Sequence, residues 1–211
     1  MRTPVLDLFR PGFSAACRWY FSLELRGVEH IPPTGAVIIT PNHQTYADPP
    51  LVTIPVRRPI FYMAWSQLFG IPVFNRFIRM LRAFPVDIDA TDSRAVREAA
   101  RLLRAGEALM IFPEGGRTPD GTLQSFKLGA FRLAVAHATP VLPVTIAGGF
   151  ESWPPGRTWP GRGRITITYH PAEQPLRGVD RRAAAQELHD RVVSAIASAL
   201  PARQPPCSST R

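Results

Sequence analysis

Two short apolar runs constrain what this chain can fold into more than any other feature. Gly35-Ala36-Val37-Ile38-Ile39-Thr40 is rich in β-branched residues and stops at Pro41, and Glu107-Ala108-Leu109-Met110-Ile111-Phe112 stops at Pro113. Short apolar runs bounded by turn residues read as buried strands. Between them lies the clearest helix. From Ser93 to Ala105, the residues Val96, Ala99, Ala100 and Leu103 recur at helical spacing, and Gly106 stops the pattern. Further strands are predicted at 58–64, 141–147 and 164–169. Further helices are predicted at 67–81, kinked near Gly70-Ile71-Pro72, and at 126–137. A last helix starts at a capping Asp180 and packs Leu188, Val192, Ile196 and Leu200 on one side. Alternating strands and helices predict an α/β fold. A chain of 211 residues suits one domain over 1–200, opening with a helical stretch at 1–25 and closing with a disordered tail at 201–211.

Both apolar runs lead into residues that carry chemistry. After the first comes Asn42-His43-Gln44-Thr45-Tyr46-Ala47-Asp48. A loop at a strand exit displays reactive side chains. If it bends so that Asp48 meets one ring nitrogen of His43, the other nitrogen faces substrate as a general base. The plainer reading is that Asp48 caps the helix that Pro49-Pro50 opens, with His43 an ordinary loop residue. After the second run comes Pro113-Glu114-Gly115-Gly116-Arg117-Thr118. Its glycines let backbone N–H groups approach a ligand, Arg117 grips phosphate oxygens with paired donors, and Glu114 bonds a substrate hydroxyl or holds the arginine. A tight turn with a surface ion pair is the alternative. Lys127, the only lysine, follows in the same loop as a second phosphate contact or a solvated charge.

Charge narrows the partners. The net charge is +9, almost all of it from arginine. This favours anionic partners such as a lipid surface or an acidic cofactor, with the arginine bias of a GC-rich genome as the plainer cause. Nucleic acid is not expected as a partner, because no helix-turn-helix, zinc or RNA-binding pattern appears. No apolar run is long enough to span a bilayer. Residues 4–25 and 61–84 are dense in aromatics, with Arg76, Arg79 and Arg82 interleaved in the second segment. Aromatics with arginine suit a headgroup boundary, so peripheral binding to the cytoplasmic leaflet is expected, with core burial as the alternative. Cys17 and Cys207 suggest no disulfide framework, consistent with a reducing cytoplasm. His30, His137, His170 and His189 lack ligand spacing, and no metal is expected.

Taken together, these segments resemble the phospholipid acyltransferases that act on glycerol phosphate and lysophosphatidic acid. An Asn-His-x4-Asp motif matches Asn42, His43 and Asp48; a second motif matches Ala83 to Asp87; a Phe-Pro-Glu-Gly-x-Arg motif matches Phe112 to Thr118; and a Val-x-Pro-Val motif matches Pro140 to Val144. Thr45 stands where the family often has serine. Ile88 stands where the second motif usually carries an arginine that binds acceptor phosphate. Arg82 and Arg94 are the nearby cations, and the acceptor stays open.

The resemblance implies an α/β fold with a mixed sheet flanked by helices and an N-terminal membrane-interfacial segment. It implies transfer of an acyl group from acyl-CoA or acyl carrier protein to a lysophospholipid hydroxyl, most readily that of 1-acyl-sn-glycerol-3-phosphate, with no cofactor. His43 and Asp48 are then the catalytic pair. Asn42, Arg82, Glu114, Gly115, Gly116, Arg117, Thr118 and Lys127 are the substrate-binding set. Backbone N–H groups of the 113–118 loop are the oxyanion donors. The alternatives are a lyso-ornithine-type acceptor, an acyl-thioester hydrolase and a lipid-binding module without catalysis.

Overall fold

The computed structural model describes residues 4–70, 72–87 and 92–201. Ile88 and the expected tail beyond 201 lie outside the described residues. In chain order the elements are α1 (Pro4–Phe21), β1 (Glu24–Arg26), β2 (Val37–Pro41), α2 (Asp48–Thr53), β3 (Ile60–Trp65), α3 (Pro72–Met80), β4 (Ala83–Val86), α4 (Ser93–Arg104), β5 (Ala108–Met110), α5 (Gly129–Ala136), β6 (Val141–Ala147), α6 (Gly149–Ser152), β7 (Thr166–Tyr169) and α7 (Arg181–Ser198). The seven strands form one mixed sheet in the order β1-β7-β6-β2-β5-β3-β4. Neighbours are parallel except β6 and β7.

Strand alternation sorts the side chains into two layers. Val37, Ile39, Met110, Val144 and Ile146 face Cys17 and Phe21 of α1 and Leu51 and Val52 of α2. Ile38, Leu109 and Val141 face Leu102 and Leu103 of α4, Phe131 of α5 and Leu188, Val192 and Ile196 of α7. The central strands are thus covered on both sides, which is why their sequences are apolar throughout. Each fully buried aliphatic side chain contributes about 1.5–3 kcal/mol.

Three expectations change. In α4 the buried stripe is Ala95, Ala99, Leu102 and Leu103, while Val96 is 51% exposed. Arg94, Arg97, Arg101 and Arg104 need the water-facing side, and the small alanines let the helix lie close on the sheet. α5 starts at Gly129 rather than Phe126, because the Lys127 N–H donates to the Pro113 carbonyl and holds the preceding residues in the loop. Asp48 is not the cap of α2. Ala47 takes that position with no side-chain bond, and Asp48 turns back into the loop before it. Asp180 caps α7 as expected, accepting from the N–H groups of Arg182 and Ala183.

Candidate active site

The sheet order brings the two motif loops together. β2 and β5 are hydrogen-bonded neighbours, with Ile39 beside Met110, so the loops leaving their carboxyl ends run side by side. Crevices at such strand ends are the ligand sites of parallel sheets. Two bonds stitch the loops. The His43 N–H donates to Glu114 Oε1 at 3.0 Å, and the Thr118 N–H donates to the His43 carbonyl at 2.8 Å.

Asp48 is the centre of the first loop. Its side chain is fully buried. Oδ2 accepts from His43 Nδ1 at 2.9 Å and from the N–H groups of Gln44 and Thr45, while Oδ1 accepts from the Thr45 hydroxyl at 2.8 Å. With donors on both oxygens, this carboxylate serves only as an acceptor. Nδ1 of His43 therefore carries its proton, and Nε2 presents a lone pair. The imidazole is 18% exposed and lies against Phe112, ring centroids 4.2 Å apart. Its orientation is fixed from two sides, by a carboxylate and by a ring.

The second loop carries polar groups alongside the first. Gly115 has φ +75°, and a Cβ there would stand 2.9 Å from Lys127 Nζ, so the lysine lies directly against the glycine. Arg117 holds its guanidinium 3.5 Å from the centroid of the Tyr46 ring, and Trp153 meets that ring edge-on at 6.1 Å. Residues 22–147 match the family described as Acyltransferase, more than half of the chain.

The chain belongs to the Acyltransferase family. It is 29% identical over 188 residues to the 1-acyl-sn-glycerol-3-phosphate acyltransferase of Chlamydomonas reinhardtii, covering 86% of this chain and 54% of that protein. It is 29% identical to the enzyme of the same name from Pseudomonas aeruginosa, covering 71% and 58%. Among solved structures, the 1-acyl-sn-glycerophosphate acyltransferase PlsC of Thermotoga maritima superposes with a TM-score of 0.76 at 30% identity, covering 94% of this chain and 81% of that one. The chain spans about half the length of the algal and Arabidopsis relatives it matches.

The geometry redistributes the roles within this acyltransferase-family site. Asn42, expected to touch substrate, is 2% exposed. Its amide accepts from the Ile146 N–H at 2.7 Å and donates to the Ile146 carbonyl at 3.0 Å, tying the end of β2 to β6. Thr118 is also buried, with its hydroxyl on Asp120 and its N–H on His43. Both side chains are therefore bonded within the protein. Arg82 stands apart from the two loops. Its guanidinium packs 5.4 Å from the Phe61 ring at the start of β4, with β3 and β5 between it and β2. His43 meets Asp48, Glu114 accepts the His43 N–H, Lys127 lies against Gly115, and Arg117 stacks on Tyr46 of the first loop. Of the expected oxyanion donors, the Gly115 N–H is engaged by Phe112 and that of Thr118 by His43, while those of Gly116 and Arg117 bond to no described residue. Among the described residues, no three His, Cys, Asp or Glu side chains group as metal ligands.

Tyr46, Phe112 and Gln44 have roles that the sequence reading does not assign. Tyr46 holds Arg117, Phe112 backs His43, and Gln44 Oε1 accepts from the Gly149 and Phe150 N–H groups. An aromatic in a polar loop was the one available signal, at Tyr46.

Glu114 is electrostatically unusual. Burial pushes its carboxyl up to about 8, the nearby Asp48 charge adds to this, and the N–H groups of His43 and Gln124 only partly offset it. Its Oε2 is buried and bonds to no described residue. A carboxyl whose folded value is raised makes the folded state hold a proton that the unfolded chain releases. Stability from this group is therefore full below about 4.5, declines as pH rises toward 8, and is level above. Glu114→Gln keeps the acceptor for His43 and removes the titration. Its urea midpoint relative to the natural chain is expected to rise steadily between pH 5 and pH 8, read in paired unfolding curves. Parallel curves across that range would show that Glu114 does not carry the raised value.

Proposed function

We propose that this protein transfers a fatty acyl group from a thioester, acyl-CoA or acyl carrier protein, to the free hydroxyl of 1-acyl-sn-glycerol-3-phosphate in phospholipid synthesis. The observation that carries this reading is the His43–Asp48 pair with Nε2 unblocked beside a loop holding Arg117 and Lys127. Nε2 takes the proton as the acceptor oxygen attacks the thioester carbonyl. Asp48 stabilises the imidazolium and fixes its tautomer. The tetrahedral intermediate collapses with cleavage of the carbon–sulfur bond, and His43 returns the proton to the departing thiolate. The Gly116 and Arg117 N–H groups supply donors for the developing oxyanion. Glu114 accepts the His43 N–H and so holds the base-bearing loop against the glycine-rich loop. Arg117 and Lys127 hold the acceptor phosphate. No cofactor enters, because the thioester is itself a co-substrate. The names of the algal, plant and bacterial relatives support this choice of acceptor.

Membrane association belongs to the same proposal. Among the described residues no helix is long and apolar enough to cross a membrane. α1 buries Cys17 and Phe21 but leaves Phe13 at 43% and Trp19 at 72% exposure beside Arg18. A helix lying on the cytoplasmic face of an anionic membrane has this division. The acceptor lipid is then met where it resides.

The test is incubation of purified protein with labelled palmitoyl-CoA or palmitoyl carrier protein and a panel containing lysophosphatidic acid and lyso-ornithine lipid. Label in phosphatidic acid is expected. Label in the ornithine lipid would move the acceptor, and free palmitate alone would make the protein a thioesterase.

The Tyr46–Arg117 stack yields a sharper expectation. Loss of a charge-assisted phosphate grip in Arg117→Ala should raise the KM for the acceptor by about thirtyfold while sparing the donor KM. Tyr46→Leu should raise the same constant by about fivefold, because a cation–π contact of this kind contributes about 1 kcal/mol. Equal effects on donor and acceptor KM would remove the assignment.

A further inference from the structure

We propose that the 153–164 loop, with Trp19 of α1, docks this protein onto an anionic lipid bilayer beside the reaction site. This rests on the membrane association proposed above and extends its surface beyond the helix. The segment Trp153-Pro154-Pro155-Gly156-Arg157-Thr158-Trp159-Pro160-Gly161-Arg162-Gly163-Arg164 holds three arginines and no acid. Trp159 is 78% exposed, the most exposed of the large apolar residues described. An indole in water at the tip of a loop usually signals a contact surface rather than packing.

The loop is nevertheless held firmly. The Gly161 N–H donates to the Ser152 carbonyl at 2.7 Å, and Trp153 Nε1–H donates to the Arg157 carbonyl at 2.8 Å. The Tyr20 hydroxyl donates to the Pro160 carbonyl at 2.9 Å, and Arg162 stands 4.7 Å from the centroid of the Trp19 ring. Loop and α1 therefore present Trp159, Trp19, Arg157 and Arg162 as one unit, and little order has to be gained on binding. The nearby acids are few. Glu151 is exposed just before the loop, and Glu24 is paired with Arg26 and feels Arg164 only through space. Exposed tryptophan mixed with arginine matches an anionic headgroup layer, where the indole sits at the boundary and the guanidinium meets phosphate. Through Trp153 the loop touches Tyr46, and through Tyr46 it touches Arg117. Docking here sets the phosphate-holding side of the site against the layer that carries the acceptor.

The experiment is vesicle partition of the full chain, read by sedimentation, with phosphatidylcholine vesicles containing about one third phosphatidylglycerol and with pure phosphatidylcholine. Trp159→Ala is expected to lower partition about tenfold on the anionic vesicles. Arg157→Gln with Arg162→Gln should lower it about twentyfold on those vesicles and little on the neutral ones. Leu176→Ala, an exposed apolar residue elsewhere, should change nothing. Partition of the loop variants equal to the natural chain would overturn the proposal while leaving membrane association by α1 intact. Failure of the natural chain to bind anionic vesicles would overturn both. Loop variants that keep vesicle binding but lose affinity for acyl carrier protein would make the loop a protein dock, against the proposal. Acyl transfer is not read in any arm, so its own failure is separate.

Discussion

Replacing His43 with alanine is expected to lower kcat for acyl transfer by about three orders of magnitude, the usual scale for loss of a positioned general base. The change should leave the fold in place. Asp48 Oδ2 would still accept from the Gln44 and Thr45 N–H groups, and Oδ1 from the Thr45 hydroxyl. The Glu114 and Thr118 bonds to residue 43 use its backbone, which alanine keeps. Initial rates with labelled acyl-CoA should therefore collapse while the melting curve shifts by only a few degrees. Activity within tenfold of the natural chain would remove His43 as the base.

Asp48 should separate charge from structure. In Asp48→Asn, one oxygen can still accept from His43 Nδ1 and the two N–H groups, and the new amide N–H can donate to the Thr45 hydroxyl after it rotates. What disappears is the negative charge that stabilises an imidazolium. A fall in kcat of about a hundredfold to a thousandfold, with a loss of stability near 1 kcal/mol, is expected. Asp48→Ala should match that catalytic loss and add a larger structural one. It strands the buried Gln44 and Thr45 donors together, at a cost of about 3–5 kcal/mol. Denaturant unfolding and steady-state rates on both variants test this split. Equal stability for Asn and Ala would mean that the bonds to Gln44 and Thr45 contribute little.

Strand positions were legible wherever burial on both faces imposes an apolar run. Val141–Ala147 matches its predicted bounds, and Ile60–Trp65 falls within about two residues of its own. The edge strand β1 was not legible: its three residues Glu-Leu-Arg carry almost no pattern, and Glu24 becomes a strand residue only because β7 lies beside it. β4 was matched as part of a motif but not read as a strand, because Ala-Phe-Pro-Val is short and contains proline. At an edge, that proline's missing N–H is tolerated. The buried side of α4 was misread by about one position, because alanine and valine are similar in apolarity and only the sheet decides which of them faces in.

The chemistry divides along the same line. Residue types and local spacing by themselves determined the reactive pair. A histidine and a carboxylate five positions apart across a proline-bounded turn can meet without help from the rest of the chain, and they do, at 2.9 Å. The glycine-rich loop with its arginine was likewise local, since Gly115 needs a positive φ that its own residue type permits. Only the tertiary structure decided which residues serve these groups. Asn42 and Thr118 sit inside the motifs yet spend their polar atoms on the protein itself, Asn42 on the Ile146 backbone and Thr118 through its hydroxyl on Asp120 and its N–H on the His43 carbonyl, because buried polar groups need partners. Arg82 is close to a motif in sequence but two strands away from the site, while Tyr46 meets Arg117 across 71 positions. Such pairings depend on β5 lying beside β2. That adjacency is set by how the whole sheet buries its two faces, a property that no single segment encodes.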